Sequence, residues 1–264
     1  MSHIHIPDGV LPLWLVLGGW LLTAALVGLA AYRLRGDTSR SVPLLGVMAA
    51  VMLVGMSTEI VPIAYHLNLS VLAGIVLGPA YGILAALIVS LILAMFGHGG
   101  ITVVGLNTLV VGFETALGHY LFRVLLAGAR RFRTSPALAA GLTTGLTLLT
   151  STLLLIGIVW ASGADPGRAR DTGALDPGTL TFANPFDAGL VSNRVITRES
   201  EGGAAPGGGF GIAIFAEAVL LLGLIGWVLE GAITGAIVGF VDRVRPDLVR
   251  GRARRRAAAS GAPG

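Results

Sequence analysis

Cysteine and lysine are both missing from the 264 residues. Without cysteine there is no disulfide, no zinc–thiolate site and no thiol nucleophile, so any metal must be held by nitrogen and oxygen. Without lysine the phosphate-binding loop G-x-x-x-x-G-K-[ST] cannot be built, and the α-amine is the chain's only amine apart from guanidinium groups. Charge is scarce too. Charged residues make up 12% of the chain and hydrophobic ones 54%, where a soluble domain carries about 25% charged residues. That leaves too little polar surface to coat a soluble protein. The 18 cations, all arginine, outnumber 14 acidic residues, and the isoelectric point is about 10.3. Arginines along one soluble face would suggest nucleic acid. Here they stand in short blocks between apolar runs, the pattern that marks the cytoplasmic side of a membrane protein, and no nucleic-acid partner is implied.

A bilayer core takes about 20 mostly apolar residues per helix. Residues 11–32, 44–65, 101–122, 137–161 and 211–241 each supply such a run. The stretch between His66 and His98 is long for one span and is broken by Gly78-Pro79. Proline lacks a backbone donor and disfavours helix at the residue before it, so 69–77 and 80–96 are expected as two helices, the first short. With seven spans and the N-terminus outside, fourteen of the 18 arginines lie in the cytoplasm: Arg33, Arg35, Arg40, Arg123, Arg130, Arg131, Arg133 and the seven from 243 to 256. One crossing fewer would put the last two blocks outside, against the positive-inside tendency. The expected fold is an all-α polytopic bundle of about seven transmembrane helices in a cell membrane, the third short or broken, with the C-terminus cytoplasmic.

Residues 1–10 then form an external segment, 11–161 the first six helices, 162–210 an external loop, 211–245 the last helix and 246–264 a basic cytoplasmic tail. The 162–210 segment carries six acidic residues among many Gly, Pro, Ser and Thr and is expected to be mobile. Anionic lipid headgroups are the expected neighbours of the tail. No basic region precedes the first apolar run, so the N-terminus is not read as a signal peptide.

His3 and His5 stand beside the α-amine. An amine, the following amide nitrogens and an imidazole close fused chelate rings in a plane, a donor set suited to Ni(II) or Cu(II). Such ligands bind deprotonated, so capture weakens as pH falls. If Met1 is removed, His3 becomes the second residue; if it stays, Met1-Ser2-His3 forms an amine-X-His chelate. A short histidine-bearing terminus can equally be a solvated end. His66 and His98 share the external face in the seven-span topology, although an interfacial histidine is also a common surface residue. His119 lies toward the cytoplasmic end, five residues from Glu114, which suits a structural hydrogen bond. Glu59, Glu114, Glu217 and Glu230 lie within apolar runs. Intramembrane carboxylates mark either an ion path or hydrogen bonds inside the bundle. Asn107 is a neutral group suited to orienting a ligand. Ala24 and Gly28 form a small-xxx-small pair, for internal packing or a membrane partner.

The segment His5-Ile6-Pro7-Asp8-Gly9-Val10-Leu11-Pro12 resembles the N-terminal signature of the CbiM/NikM family. These are the cobalt- and nickel-specific membrane components (S components) of energy-coupling factor (ECF) transporters, a class of ABC transporter. The resemblance continues through His66, Leu77-Gly78-Pro79, the run from His98 to Thr102, Gly105 and Asn107, and more weakly through the run from Glu230 to Gly235 and Arg245-Pro246. It implies capture of Co(II) or Ni(II) by the N-terminal amine, the adjoining main chain at Met1 and Ser2, an adjacent histidine and His66. His5 matches the motif register, and His3 takes the second position once Met1 is lost. His98 and Asn107 would support the loop or the ligands. The family's implied role is import of the ion as substrate, with cobalt for cobalamin biosynthesis slightly favoured and no permanent cofactor. The implied partners are a transmembrane coupling (T) protein, a pair of ATPase (A) subunits and a small accessory membrane subunit, with Ala24/Gly28 one contact surface. The chain itself would not be an enzyme: no nucleophile–base pair or H-E-x-x-H motif is present. The alternative is a proton- or cation-coupled secondary transporter using the buried glutamates.

Overall fold

The computed structural model describes residues 11–35, 41–57, 59–60, 65–96, 100–132, 135–162 and 212–250. Helix α1 is Leu13–Arg33, α2 Ser41–Ser57, α3 Ser70–Leu77, α4 Pro79–Met95, α5 Val104–Phe132, α6 Pro136–Ser162, α7 Ile212–Val244 and α8 Pro246–Arg250. A two-residue antiparallel pair, β1 (Glu59–Ile60) and β2 (Tyr65–His66), sits between α2 and α3. Among the described residues α1, α5, α6 and α7 are long and apolar enough to cross a membrane, while α2 and α4 are apolar but shorter. At 17 residues each, they are about 25 Å long, a little under the ~30 Å hydrocarbon core.

The helices fall close to their expected places, with one correction. The second apolar run does not stay helical to residue 65. α2 ends at Ser57, whose hydroxyl turns back to the Val54 carbonyl at 3.2 Å, and the β-branched, proline-containing run that follows favours extended chain. The chain pairs Glu59 with His66 and Ile60 with Tyr65, then returns to α2, where the Leu67 N–H donates to the Gly55 carbonyl at 3.1 Å. After α7 comes the stretch 246–264 expected as a tail. Its first five residues form α8, which packs on α7 and α3 and buries Val249 to 2% exposure. Arg245 holds both oxygens of Asp247 at 3.2 Å across the α7–α8 junction, and that carboxylate raises the Arg245 pKa further above its ordinary value. The loop 163–211 and the residues after 250 lie outside the described residues.

Helix α3 is a half-helix. Its 8 residues rise about 12 Å, and it is bracketed by the two described residues with positive φ, Leu69 at 55° and Gly78 at 81°. Gly78 supplies the left-handed turn that Pro79 then converts into a new helix, since proline is well placed at a first helical position. α3 and α4 form a helical hairpin against α5: Gly74 and Gly82 both lie against Thr115. Broken backbone at membrane depth is tolerated where protein surrounds it, and Ser70, Val71, Leu72, Ala73, Gly74 and Ile75 are all buried.

Close helix contact comes from glycine. A Cβ on Gly141 of α6 or on Gly231 of α7 would stand 2.9 Å from the other's carbonyl oxygen, and one on Gly235 would stand 2.7 Å from the Ala137 oxygen. Lipid gives little hydrophobic incentive for helices to associate, so such approach is what holds them. Gly235→Ala is expected to push α6 from α7 and cost about 1–3 kcal/mol, read as a lower melting temperature in detergent. Ala24 and Gly28, by contrast, lie on the exposed face of α1 and take no part in internal packing. α1 turns the other face inward: Trp20 Nε1 donates to the Thr102 carbonyl and the Thr23 hydroxyl to the Gly105 carbonyl, both at 2.7 Å.

Candidate metal-binding site

Four residues, 67–70, are held by three helices, with a fourth bonded to one of the anchors. Leu67 is tied to α2 through Gly55. The Asn68 N–H donates to Glu230 Oε2 at 3.3 Å and the Leu69 N–H to Glu230 Oε1 at 3.0 Å, which ties the stretch to α7. Asn68 Nδ2 and the Ser70 hydroxyl, the latter at 2.7 Å, donate to Glu114 Oε2 of α5. The other oxygen of Glu114 accepts the Ser151 hydroxyl of α6 at 2.6 Å. Both glutamates are fully buried.

The left-handed backbone at Leu69 accounts for part of this. It turns adjacent N–H groups to one side, a concavity that binds anions; the N–H of Leu69, the N-cap, is among the donors the start of α3 leaves unsatisfied, and that of Asn68 lies one residue before it. A carboxylate satisfies them and complements the positive end of the helix dipole. In return the donors meet the demand of carboxylates that would be costly to bury bare. At the other end of α3, the Gly74 carbonyl lies 3.0 Å from His119 Nδ1 and accepts the Gly78 N–H at 3.0 Å. His119 therefore has the structural role expected of it, in the tautomer that carries its proton on Nδ1.

His66 is part-buried at the end of β2, two residues before this anchored turn. Asn107 is 3% exposed in the first turn of α5, seven residues from Glu114 and so on the same helix face. Met1, Ser2, His3, His5 and His98 lie outside the described residues. Among the described residues no three His, Asp or Glu side chains gather as a metal-holding set. Leu11, the first described residue, is buried in a cluster with Val103, Leu106, Leu155 and Val219. The chain thus enters at the end of the bundle where α5 and α7 begin and α6 finishes.

Of the four intramembrane carboxylates, Glu114 and Glu230 converge on one turn. Glu217 is exposed and Glu59 belongs to β1. The sequence reading singled out the two buried glutamates but missed Asn68, Ser70 and Ser151. The available signal was a polar residue inside or beside each apolar run at a position where a carboxylate needs donors.

The fold and this turn define a multi-pass helical membrane protein built around a buried half-helix. Residues 5–248 match the CbiM family, the cobalt uptake substrate-specific transmembrane region, and the chain belongs to that family. It is 27% identical over 255 residues to NikMN of Archaeoglobus fulgidus, named as a fused nickel transport protein, covering 95% of this chain and 69% of that one. It is 29% identical over 257 residues to the cobalt transport protein CbiM of Geobacter sulfurreducens, covering 93% of this chain and 61% of that protein. A crystal structure of a transition metal transporter shares the fold, with a TM-score of 0.67 at 18% identity over 96% of this chain and 100% of that one. The family is one of metal transport proteins, so the chain falls among transporters, as expected.

Proposed function

We propose that this chain is the substrate-capturing component of an ATP-driven ECF-type importer of Co(II) or Ni(II), with seven spans, the N-terminus outside and the C-terminus in the cytoplasm of a prokaryotic cell. The ion is bound by the N-terminal amine and main chain at Met1 and Ser2, by His3 or His5, and by His66; His98 and Asn107 support them. The observation that carries this reading is the anchoring of residues 67–70 to three helices, α2, α5 and α7, which presents the adjoining His66 on a rigid platform of the kind a metal site needs.

Reach is consistent with it. Leu11 packs in the same cluster as Leu106, and Glu114 lies eight residues further along α5, about 12 Å down the axis. The six residues from His5 to Leu11 extend up to about 20 Å. The N-terminal ligands can therefore come down to the level of His66.

The chain lacks lysine and any phosphate-binding loop, so ATP hydrolysis falls to separate A subunits joined through a T protein. Uptake of Co(II) or Ni(II) by cells producing the whole set is expected to stop when the A subunits are deleted. Uptake that survives this deletion and collapses with the proton gradient would overturn the proposal in favour of a secondary transporter. Mass spectrometry of the purified protein identifies the bound metal and whether Met1 is retained.

A further inference from the structure

We propose that Glu230, assisted by Glu114, is a positioning residue for metal capture: it fixes the turn at Asn68–Leu69 and through it the place of His66. The inference deepens the reading of His66 as a ligand and rests on it.

The geometry gives Glu230 an unusual task. Its two oxygens accept two successive backbone N–H groups, of Asn68 at 3.3 Å and Leu69 at 3.0 Å. It therefore sets the path of the main chain, and His66 is two peptide units upstream on that path. Leu69 has φ 55° without being glycine, a conformation that surrounding structure must enforce, and the bond from its own N–H to Glu230 is part of that enforcement. Glu114 works on the same stretch through side chains, accepting from Asn68 Nδ2 and Ser70 Oγ. On the far side, the Leu67 N–H bonds to Gly55, and a Cβ at Gly55 would meet the Leu67 oxygen at 2.7 Å. His66, the last residue of β2, thus adjoins a segment tied to α2 through Leu67 and to α5 and α7 through Asn68, Leu69 and Ser70.

Glu230→Gln is the least invasive probe. It keeps the shape of the side chain but replaces one acceptor oxygen by an NH2 group that faces an N–H donor. One of the two main-chain bonds is lost and the turn relaxes. A planar nitrogen donor set tolerates little displacement of an imidazole, so affinity and ligand field should both respond.

The test uses the full-length protein in nanodiscs with Ni(II) alone as probe, following affinity by calorimetry, the visible ligand-field band, and the melting temperature without metal. Phe122→Leu serves as a control for stability alone, because Phe122 is buried about two helical turns further along α5 and touches none of the anchoring bonds. Glu230→Gln is expected to weaken Ni(II) binding tenfold or more and to shift the band. Phe122→Leu is expected to lower the melting temperature while the folded protein keeps the parent affinity and band.

Glu230→Gln with the parent affinity and band would overturn the proposal, as would a Phe122→Leu protein showing the same loss and shift at equal melting temperature. Should Glu230→Gln fail to fold, Ser70→Ala removes one bond from the same stretch; a threefold or greater loss with a band shift supports the proposal and parent behaviour overturns it. His66→Ala separates the two levels. If His66→Ala binds like the parent, the ligand reading fails; if it abolishes binding while Glu230→Gln is silent, positioning alone fails.

Discussion

Replacing His66 with alanine is expected to weaken Co(II) and Ni(II) binding by at least about a hundredfold, and removing residues 1–5 is expected to do the same. The scale follows from what ligand supports are worth: altering a group that merely orients a ligand costs 10–100-fold in affinity, and deleting a ligand from a four-donor set costs more. His66 is part-buried, at the end of a two-residue strand, and outside the packed core. Its removal should therefore leave the melting temperature of the metal-free protein within a few degrees of the parent. Titration calorimetry on the purified protein, with both variants, reads the loss directly. If each variant binds like the parent, the ligands lie elsewhere.

The second large effect is on stability. Glu114→Ala is expected to cost about 3–5 kcal/mol, because it strands the donors of Asn68 and Ser70 and leaves the Ser151 hydroxyl only the Leu148 carbonyl at 3.2 Å. Each buried donor left alone costs about 1–3 kcal/mol, and a cavity is left where a fully buried side chain had been. Within a membrane some donors find substitutes in the unfolded reference state, which keeps the total below the simple sum. Glu114→Gln keeps an acceptor for Ser151 or for the Ser70 side and should cost roughly half as much. Combining Glu114→Ala with Ser151→Ala should cost less than the two single changes added, since the shorter of the serine's two bonds is already gone. Reversible unfolding in detergent measures all three.

The helices were largely legible because their signals are local. Length and apolarity gave α1, α4, α5, α6 and α7 nearly in place, and Gly78-Pro79 announced the break between α3 and α4. The second run is expected too long because Ile60, Val61, Ile63 and Ala64 continue the apolar stretch past Ser57. Composition cannot distinguish a membrane helix from a chain that pairs Glu59 with His66 and returns to Gly55. For glycine the two readings offered by the sequence are separated only in the fold. Ala24/Gly28 has the small-xxx-small spacing and faces outward, whereas Gly231, Gly235 and Gly239 have the same spacing and meet Gly141 and Ala137. Spacing defines a smooth face and says nothing of what covers it.

For the candidate site, the glutamates were legible as costly residues in apolar runs. Their convergence was not, because Asn68 and Glu230 are 162 positions apart and only the folded chain brings them together. Met1, Ser2, His3 and His5 are proposed as ligands on chelate chemistry and resemblance, since they lie outside the described residues.

That separation has a consequence for synthesis. A chain made from its N-terminus inserts α2, α3, α4 and α5 well before Glu230 exists. Until α7 is made, the N–H groups of Asn68 and Leu69 lack the acceptor that the finished fold gives them, and the left-handed residue between β2 and α3 lacks an anchor. The turn after His66 is therefore expected to be among the last parts of the protein to settle, and a chain interrupted within the segment before α7 would have most of its helices without the carboxylate that anchors this turn. Assembly of the final helix is the completion step for a turn made 162 positions earlier, the separation of Asn68 from Glu230.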